Sequence, residues 1–162
     1  MAQTDEFAAL VEREYVPLVR VATVIVDDDG IAREVVQEAF TRALVRWRRV
    51  SRYERPGAWL RLVTVRLALR AASKCRRDGV GQAVPERGMA DDYADPDLTA
   101  AIAALSELDR AVIVLHHLCD MPVEEVAQAV KARPGAVRVR LHRARARLAV
   151  AMAEEDGDVP TR

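Results

Sequence analysis

Apolar residues recur every three or four positions along most of the chain, and one stretch, residues 78–97, interrupts them. Such spacing marks amphipathic helices. The interruption holds Gly79, Gly81, Pro85, Gly88 and Pro96 among acids and small polar residues. That composition reads as a flexible linker between two domains. The expected fold class is therefore all-α: two small helical domains, residues 1–77 and 98–153, joined by the linker 78–97 and followed by an acidic tail, 154–162. A chain of 162 residues has room for two very small domains. Aromatics make up only 4% of it, and the abundance of Ala, Leu, Val and Arg favours helix over sheet.

In the first block, Phe7, Leu10, Val11, Leu18, Ala22 and Ile25 predict a helix from Thr4 to Val26, with Thr4 as its cap. After the turn Asp27-Asp28-Asp29-Gly30, a second helix should run to about Trp47 and bury Ile31, Val35, Ala39, Phe40, Ala43 and Trp47. Residues Arg48–Gly57 read as a loop. A third helix should span about Ala58 to Arg76, with Trp59, Leu62, Val63, Leu67 and Leu69 on its apolar side. The second block begins with a short helix carrying Leu98, Ile102 and Leu105. Ser106-Glu107-Leu108-Asp109 has the form of an N-cap with an acid three residues on. The helix it opens should hold Val112, Ile113, Leu115 and Leu118. Pro122 suits the first turn of a helix Val123–Val130, and Pro134 starts a last helix to about Ala153.

Function is carried by the cations. The 25 Lys and Arg balance 25 Asp and Glu, but the cations cluster at 42–77 and 133–147 and are arginine except for Lys74 and Lys131. Local basic surfaces bind phosphate even on a neutral molecule. Residues 123–147 give the sharpest signal: a short helix, a turn at Lys131-Ala132-Arg133, then a long basic helix. This is the grammar of a helix-turn-helix. Val126, Ala127 and Val130 can pack on Val137 and Leu141, leaving Arg138, His142 and Arg145 outward with Arg140, Arg143 and Arg147 beside them. Arginine forks onto guanine O6 and N7 or clamps phosphates.

Val123-Glu-Glu-Val-Ala, Pro134-Gly-Ala-Val-Arg and the run Arg140 to Leu148 resemble region 4 of the extracytoplasmic-function sigma factors of bacterial RNA polymerase. Ala104 to Leu115 resembles the first helix of that region. Glu34-Val-Val-Gln-Glu-Ala-Phe-Thr-Arg-Ala-Leu and Arg55-Pro-Gly-Ala-Trp-Leu-Arg-Leu-Val resemble region 2 of the same family. The resemblance implies a factor that binds RNA polymerase core and directs promoter-specific initiation without catalysis or cofactor. It assigns core binding to Glu34, Gln37, Glu38 and Arg42. It assigns minus-ten DNA to Arg48, Arg49, Arg52, Tyr53, Arg55, Arg61, Arg66 and Arg70, with cations for a strand backbone and rings for stacking. Minus-thirty-five DNA falls to His116, Arg133, Ala136, Arg138, Val139, His142 and Arg143. It also implies an anti-sigma partner covering both DNA-reading domains, and a monomer when no partner is bound. The linker acids Asp91, Asp92, Asp95 and Asp97 fit ordinary solvation better than mimicry of nucleic acid.

The chain departs from the family at several points. Lys131 and Arg133 stand where glycine and serine are usual in the recognition turn, and Ala136 and Val139 where threonine and serine are usual. Val65-Arg66 replaces a common Arg-Asn pair, and Arg70 a common Asp. Other readings fit less of the chain. His116-His117-x-Cys119 lacks a fourth zinc ligand, so no metal site is expected. Cys75 beside Arg76 and Arg77 reads as an ordinary cysteine rather than a redox switch. No nucleophile–base pair or phosphate loop suggests an enzyme. A regulator acting without polymerase explains only the second block; a decoy that binds core but cannot melt promoters stays open because of the departures in helix three. Two cysteines, no apolar run of membrane length and no secretion-signal pattern at the start lead to an expected cytoplasmic location without membrane insertion.

Overall fold

The computed structural model describes residues 2–79 and 96–156, with the backbone alone for residues 2, 3, 96, 99 and 154–156. All the regular structure among the described residues is helical. The chain divides into two compact units, Met1–Glu86 and Arg87–Arg162. Most of the expected linker, including Asp91, Asp92 and Asp95, and the tail residues 157–162 lie outside the described residues.

The first unit is a packed trio of helices with a one-turn helix beside it. Helix α1 spans Ala2–Val26, α2 Asp29–Val45, α3 Trp47–Val50 and α4 Pro56–Arg77. Helices α1, α2 and α4 all pack on one another. Leu10, Leu18, Val21, Ala22 and Ile25 of α1 meet Val35, Val36, Ala39, Phe40 and Ala43 of α2 in a buried core. Phe7 stands edge-on to Trp47, with ring centroids 5.1 Å apart, which ties the start of α1 to α3. Asp27 ends α1 in the left-handed region at φ 55°. Asp28 then caps α2 by accepting from the Ile31 N–H at 2.8 Å.

Several local expectations are corrected here. Helix α1 begins at Ala2, so Thr4 lies inside it and caps nothing, and the helix continues through Pro17. Helix α2 stops at Val45, and Trp47 belongs to α3, so part of the expected loop 48–57 is helical at both ends. Ile31 is half-buried, not core. The largest error is the phase of α4. Its buried side is Gly57, Leu60, Thr64, Val65, Ala68 and Ala72, while Trp59, Leu62, Val63, Leu67 and Leu69 are only half-buried. Small residues face inward because the helices approach closely there. Thr64 is tolerated because its hydroxyl donates to the Leu60 carbonyl at 2.9 Å.

In the second unit, α5 spans Pro96–Ala103, α6 Glu107–Ile113, α7 Val123–Val130 and α8 Pro134–Asp156. Ser106 caps α6 as expected, accepting from the Asp109 N–H at 3.2 Å. Leu98 is exposed and Ile102 half-buried, which leaves Leu105 as the anchor of that segment. Helix α6 does not continue in α form to Leu118. It widens into a π turn, Val114–Leu118, in which the Cys119 N–H reaches back to the Val114 carbonyl at 3.1 Å. Leu118 is thereby turned out, 65% exposed, whereas Val112, Ile113, Val114 and Leu115 are buried. Pro122 precedes α7 as its cap, with ψ 154°, and does not enter its first turn. Helix α8 runs three residues past the expected end, to Asp156.

Candidate nucleic-acid and polymerase interfaces

On α2, Glu34, Gln37 and Glu38 are exposed and Arg42 is half-buried. Glu38 and Arg42 satisfy each other, Nε to Oε1 at 2.7 Å, one helical turn apart. Sequence reasoning missed two neighbours of this face. Leu44 and Val45 are 57% and 80% exposed, so apolar surface extends past Arg42 at the end of α2. A groove of about 400 Å³ also opens between α2 and α4, lined among others by Glu34, Glu38, Leu67, Lys74 and Cys75. No local signal gives either feature, because both depend on where α4 lies.

The residues assigned to minus-ten DNA form two sets. Arg48 and Arg49 on α3 and Arg52 and Arg55 in the loop are exposed, and Tyr53 is half-buried. The Tyr53 ring tilts toward Trp59 with centroids 6.5 Å apart, so both aromatics sit at the start of α4. Trp59, half-buried Arg66 and exposed Arg70 follow at helical spacing on the side of α4 away from the core. Arg61 is separate. It falls on the side of Gly57, Thr64 and Ala68, and its Nε and Nη2 both lie 3.4 Å from Oε2 of Glu14 on α1.

In the second unit the turn between α7 and α8 keeps helix-turn-helix geometry despite Lys131. This residue adopts the left-handed conformation, φ 56° and ψ 46°, and the Ala132 N–H closes the turn on the Ala127 carbonyl at 2.9 Å. Glycine would suit that position at no steric cost. Val126, Ala127, Val137 and Leu141 are buried between the two helices. Outward on α8 and just before it stand Arg133, Ala136, Arg138, Val139, His142 and Arg143, all exposed. Arg138 meets Glu124 of α7 at 3.1 Å, and both side chains remain well exposed.

The other arginines of α8 have partners on α6 and the π turn, although Arg145 and Arg147 stay exposed. Arg140 donates to Asp109 at 2.8 Å, with Arg147 3.8 Å from the same carboxylate. The Arg145 Nε donates to Nε2 of His117 at 3.1 Å. Sequence periodicity had placed Arg145 on the outward side. His116 is half-buried in the π turn, apart from α8, with Nδ1 2.9 Å from the Met121 carbonyl oxygen. Burial, then the charge of Arg145, then His116 hold the His117 pKa below its ordinary 6.5. Among the described residues no cluster of His, Cys, Asp or Glu could hold a metal ion, and no helix is long and apolar enough to cross a membrane.

Comparison with known proteins agrees with this division. Residues 10–78 match the sigma-70 region 2 family and residues 96–148 the sigma-70 region 4 family. The RNA polymerase sigma-E factor of Streptomyces coelicolor is 31% identical over 98% of this chain and 92% of its own length. The RNA polymerase sigma factor SigV of Bacillus subtilis is 29% identical over 85% of each. A probable ECF sigma factor of Mycobacterium tuberculosis, SigI, is 30% identical over 91% of this chain but 56% of its own length. Among solved structures, the sigma factor RpoE of Bartonella quintana, in complex with the anti-sigma factor NepR, shares the fold with a TM-score of 0.74. That match has 19% identity and covers 95% of this chain and 99% of the other. Region 2 followed by region 4 defines a sigma-70-type transcription initiation factor. The chain belongs to the extracytoplasmic-function sigma factors of bacterial RNA polymerase.

Proposed function

We propose that this sigma factor grips polymerase core with the α2 face of Glu34, Gln37, Glu38 and Arg42, reads promoter DNA with both units, and acts in the cytoplasm without catalysis or cofactor. The observation that carries the reading is the exposed, cation-rich face of α8 and the turn before it, held on a buried helix-turn-helix core. Arg133, Ala136, Arg138, Val139, His142 and Arg143 are all exposed, with Arg138 also meeting Glu124, while Arg140 is tied to Asp109 and Arg145 to His117. Exposed cations and small side chains on one helix of a helix-turn-helix suit phosphates and base edges. His116 contributes from the π turn of the same unit.

In the first unit, Arg48, Arg49, Arg52, Arg55, Arg66 and Arg70 supply cations, and Tyr53 a ring, for an opened strand. Separating the strands costs stacking and pairing; contacts to phosphates and unstacked bases offset that cost. The domains carrying these tasks are residues 1–77 and 98–153. An anti-sigma factor that covers both units is the proposed inhibitory partner, in line with the partner-bound relative of the same fold.

Run-off transcription from fragmented genomic DNA of the source organism, with purified core and with or without this chain, tests the reading. Defined transcripts that require the protein are expected. Co-elution with core but no transcripts would indicate a decoy. Failure to bind core would sink the core-binding assignment and leave an autonomous DNA-binding regulator.

A further inference from the structure

We infer that Glu14, acting with Arg61, is a positioning residue for strand capture: it locks the start of α4 onto α1 and so fixes the loop that carries Arg52, Tyr53 and Arg55. The inference rests on the minus-ten assignment proposed above. Glu14 is only 5% exposed, and a carboxylate is expensive to bury without partners. Its partners are Arg61, through two contacts at 3.4 Å, and Arg13 at 3.1 Å. Arg13 is the residue next to Glu14 and largely exposed, so it ties Glu14 to nothing else. Arg61 is the long-range partner, 47 positions away in sequence.

A second observation comes from Gly57. A Cβ on Gly57 would stand 2.6 Å from Oε1 of Glu14 and 3.1 Å from its carboxyl carbon. A side chain at residue 57 would therefore displace the Glu14 carboxylate from its present place against α4. Gly57 lies in the first turn of α4, where the helix dipole favours a negative charge, and the α4 cap residue Arg55 makes no side-chain capping bond. Glu14 supplies that charge from another helix.

The consequence concerns the loop. On its upstream side, residues 51–53 hang from α3 through backbone bonds to Trp47, Arg49 and Val50. On its downstream side the anchor is the first turn of α4, which Glu14 and Arg61 hold. Loosening that anchor leaves the helices folded but lets Tyr53, Arg55 and the neighbouring Trp59 wander. Capture of an unstacked strand is sensitive to such misplacement.

The test uses the full chain with core on a promoter found by run-off transcription, with 2-aminopurine in the minus-ten non-template strand to report opening. Glu14→Gln, Gly57→Ala and Arg61→Gln are compared with wild type, together with the double variant Glu14→Gln/Arg61→Gln. Opening is expected to fall about three- to fivefold in each single variant, the scale of one long, partly exposed charged contact. Affinity for core should stay within about twofold, because none of the three residues lies on the α2 face. The double variant should be no worse than Arg61→Gln alone, since Glu14 acts through Arg61. Gly57→Ala keeps every charge and carries the test should Glu14→Gln fail to fold. Wild-type opening with Glu14→Gln and Gly57→Ala unimpaired would overturn the inference and leave the function standing. So would losses that multiply in the double variant, or that merely track a fall in thermal midpoint. No opening by the wild-type protein would overturn the minus-ten reading itself.

Discussion

Among the described residues each unit buries one carboxylate that receives arginine, and the two do so differently. Asp109 sits in the first turn of its own helix, with its N–H held by Ser106 and its carboxylate 2.8 Å from Arg140. Glu14 sits in the middle of its own helix and at the start of another, with Arg61 at 3.4 Å in a slot cleared by Gly57. The Asp109 arrangement fastens the recognition helix α8 to α6. The Glu14 arrangement fastens the start of α4 to α1. The first fixes a long helix against its neighbour; the second fixes only the base of the loop before α4.

The largest expected effect separates them. Asp109→Asn keeps the shape of the side chain but weakens a short bond made by a carboxylate that is 12% exposed. It should cost about 1–2 kcal/mol, the lower part of the range for buried charged pairs, because Arg140 is 39% exposed and can be solvated. Glu14→Gln should cost less, under about 1 kcal/mol, given longer contacts and a partner 35% exposed. Urea unfolding followed by far-ultraviolet circular dichroism gives both. A greater cost for Glu14→Gln would mean that contact distance does not govern the difference.

The same contrast explains what could be read from the sequence. Ser106-x-x-Asp109 is a local pattern, and its cap is where the residues suggested. The helix-turn-helix was likewise legible, since Val126, Ala127, Val137 and Leu141 fall at helical spacing and are buried. Glu14 was invisible: nothing near it shows that Gly57 and Arg61 will meet it. The phase of α4 was misread for a related reason. Leu60, Leu62, Val63, Val65, Leu67 and Leu69 offer apolar residues around much of the helix, and close packing selected the side rich in small residues. The π turn at Val114–Leu118 has no local sequence signal, and it determined where Leu118 and both of its histidines face. The bonds of Arg140 to Asp109 and of Arg145 to His117 were missed because they depend on α6 and that turn.

Capping gives the next comparison. Asp28→Ala removes a charged cap at 2.8 Å and should cost about 1–1.5 kcal/mol; Ser106→Ala removes a neutral one at 3.2 Å and should cost about 0.5–1 kcal/mol. Thermal unfolding of the pair checks the order, and equal losses would show that the charge on Asp28 adds nothing. The left-handed residues that end helices differ in the same way. Lys131→Gly should stabilise by about 0.5 kcal/mol, because relief of a non-glycine at φ 56° is partly cancelled by the greater freedom of glycine in the unfolded chain. Asp27→Gly, at φ 55°, should gain less, since aspartate tolerates that region better than lysine. A loss on Lys131→Gly would show that the lysine side chain contributes contacts of its own.

The smallest expected effect is the dependence of stability on pH, and it divides the units most cleanly. All three histidines, His116, His117 and His142, belong to the second unit, while both tryptophans, Trp47 and Trp59, belong to the first. His117 accepts from the Arg145 Nε, and a ring nitrogen that accepts carries no proton. Its folded pKa lies below the ordinary 6.5, through burial first, then Arg145, then His116. The unfolded chain then binds more protons than the folded chain below about pH 7, so this contribution rises with pH through that window. It is complete above the unfolded pKa and lost as pH falls through the folded one. Dichroism, which reports both units, should show a small rise in stability as pH rises from below the ordinary 6.5 through it, and His117→Gln should flatten it. Tryptophan fluorescence, which reports the first unit, should show no histidine-linked rise there. An unchanged slope in His117→Gln would mean that the Arg145 contact does not persist in solution, and Arg145 would then belong with the outward cations of α8.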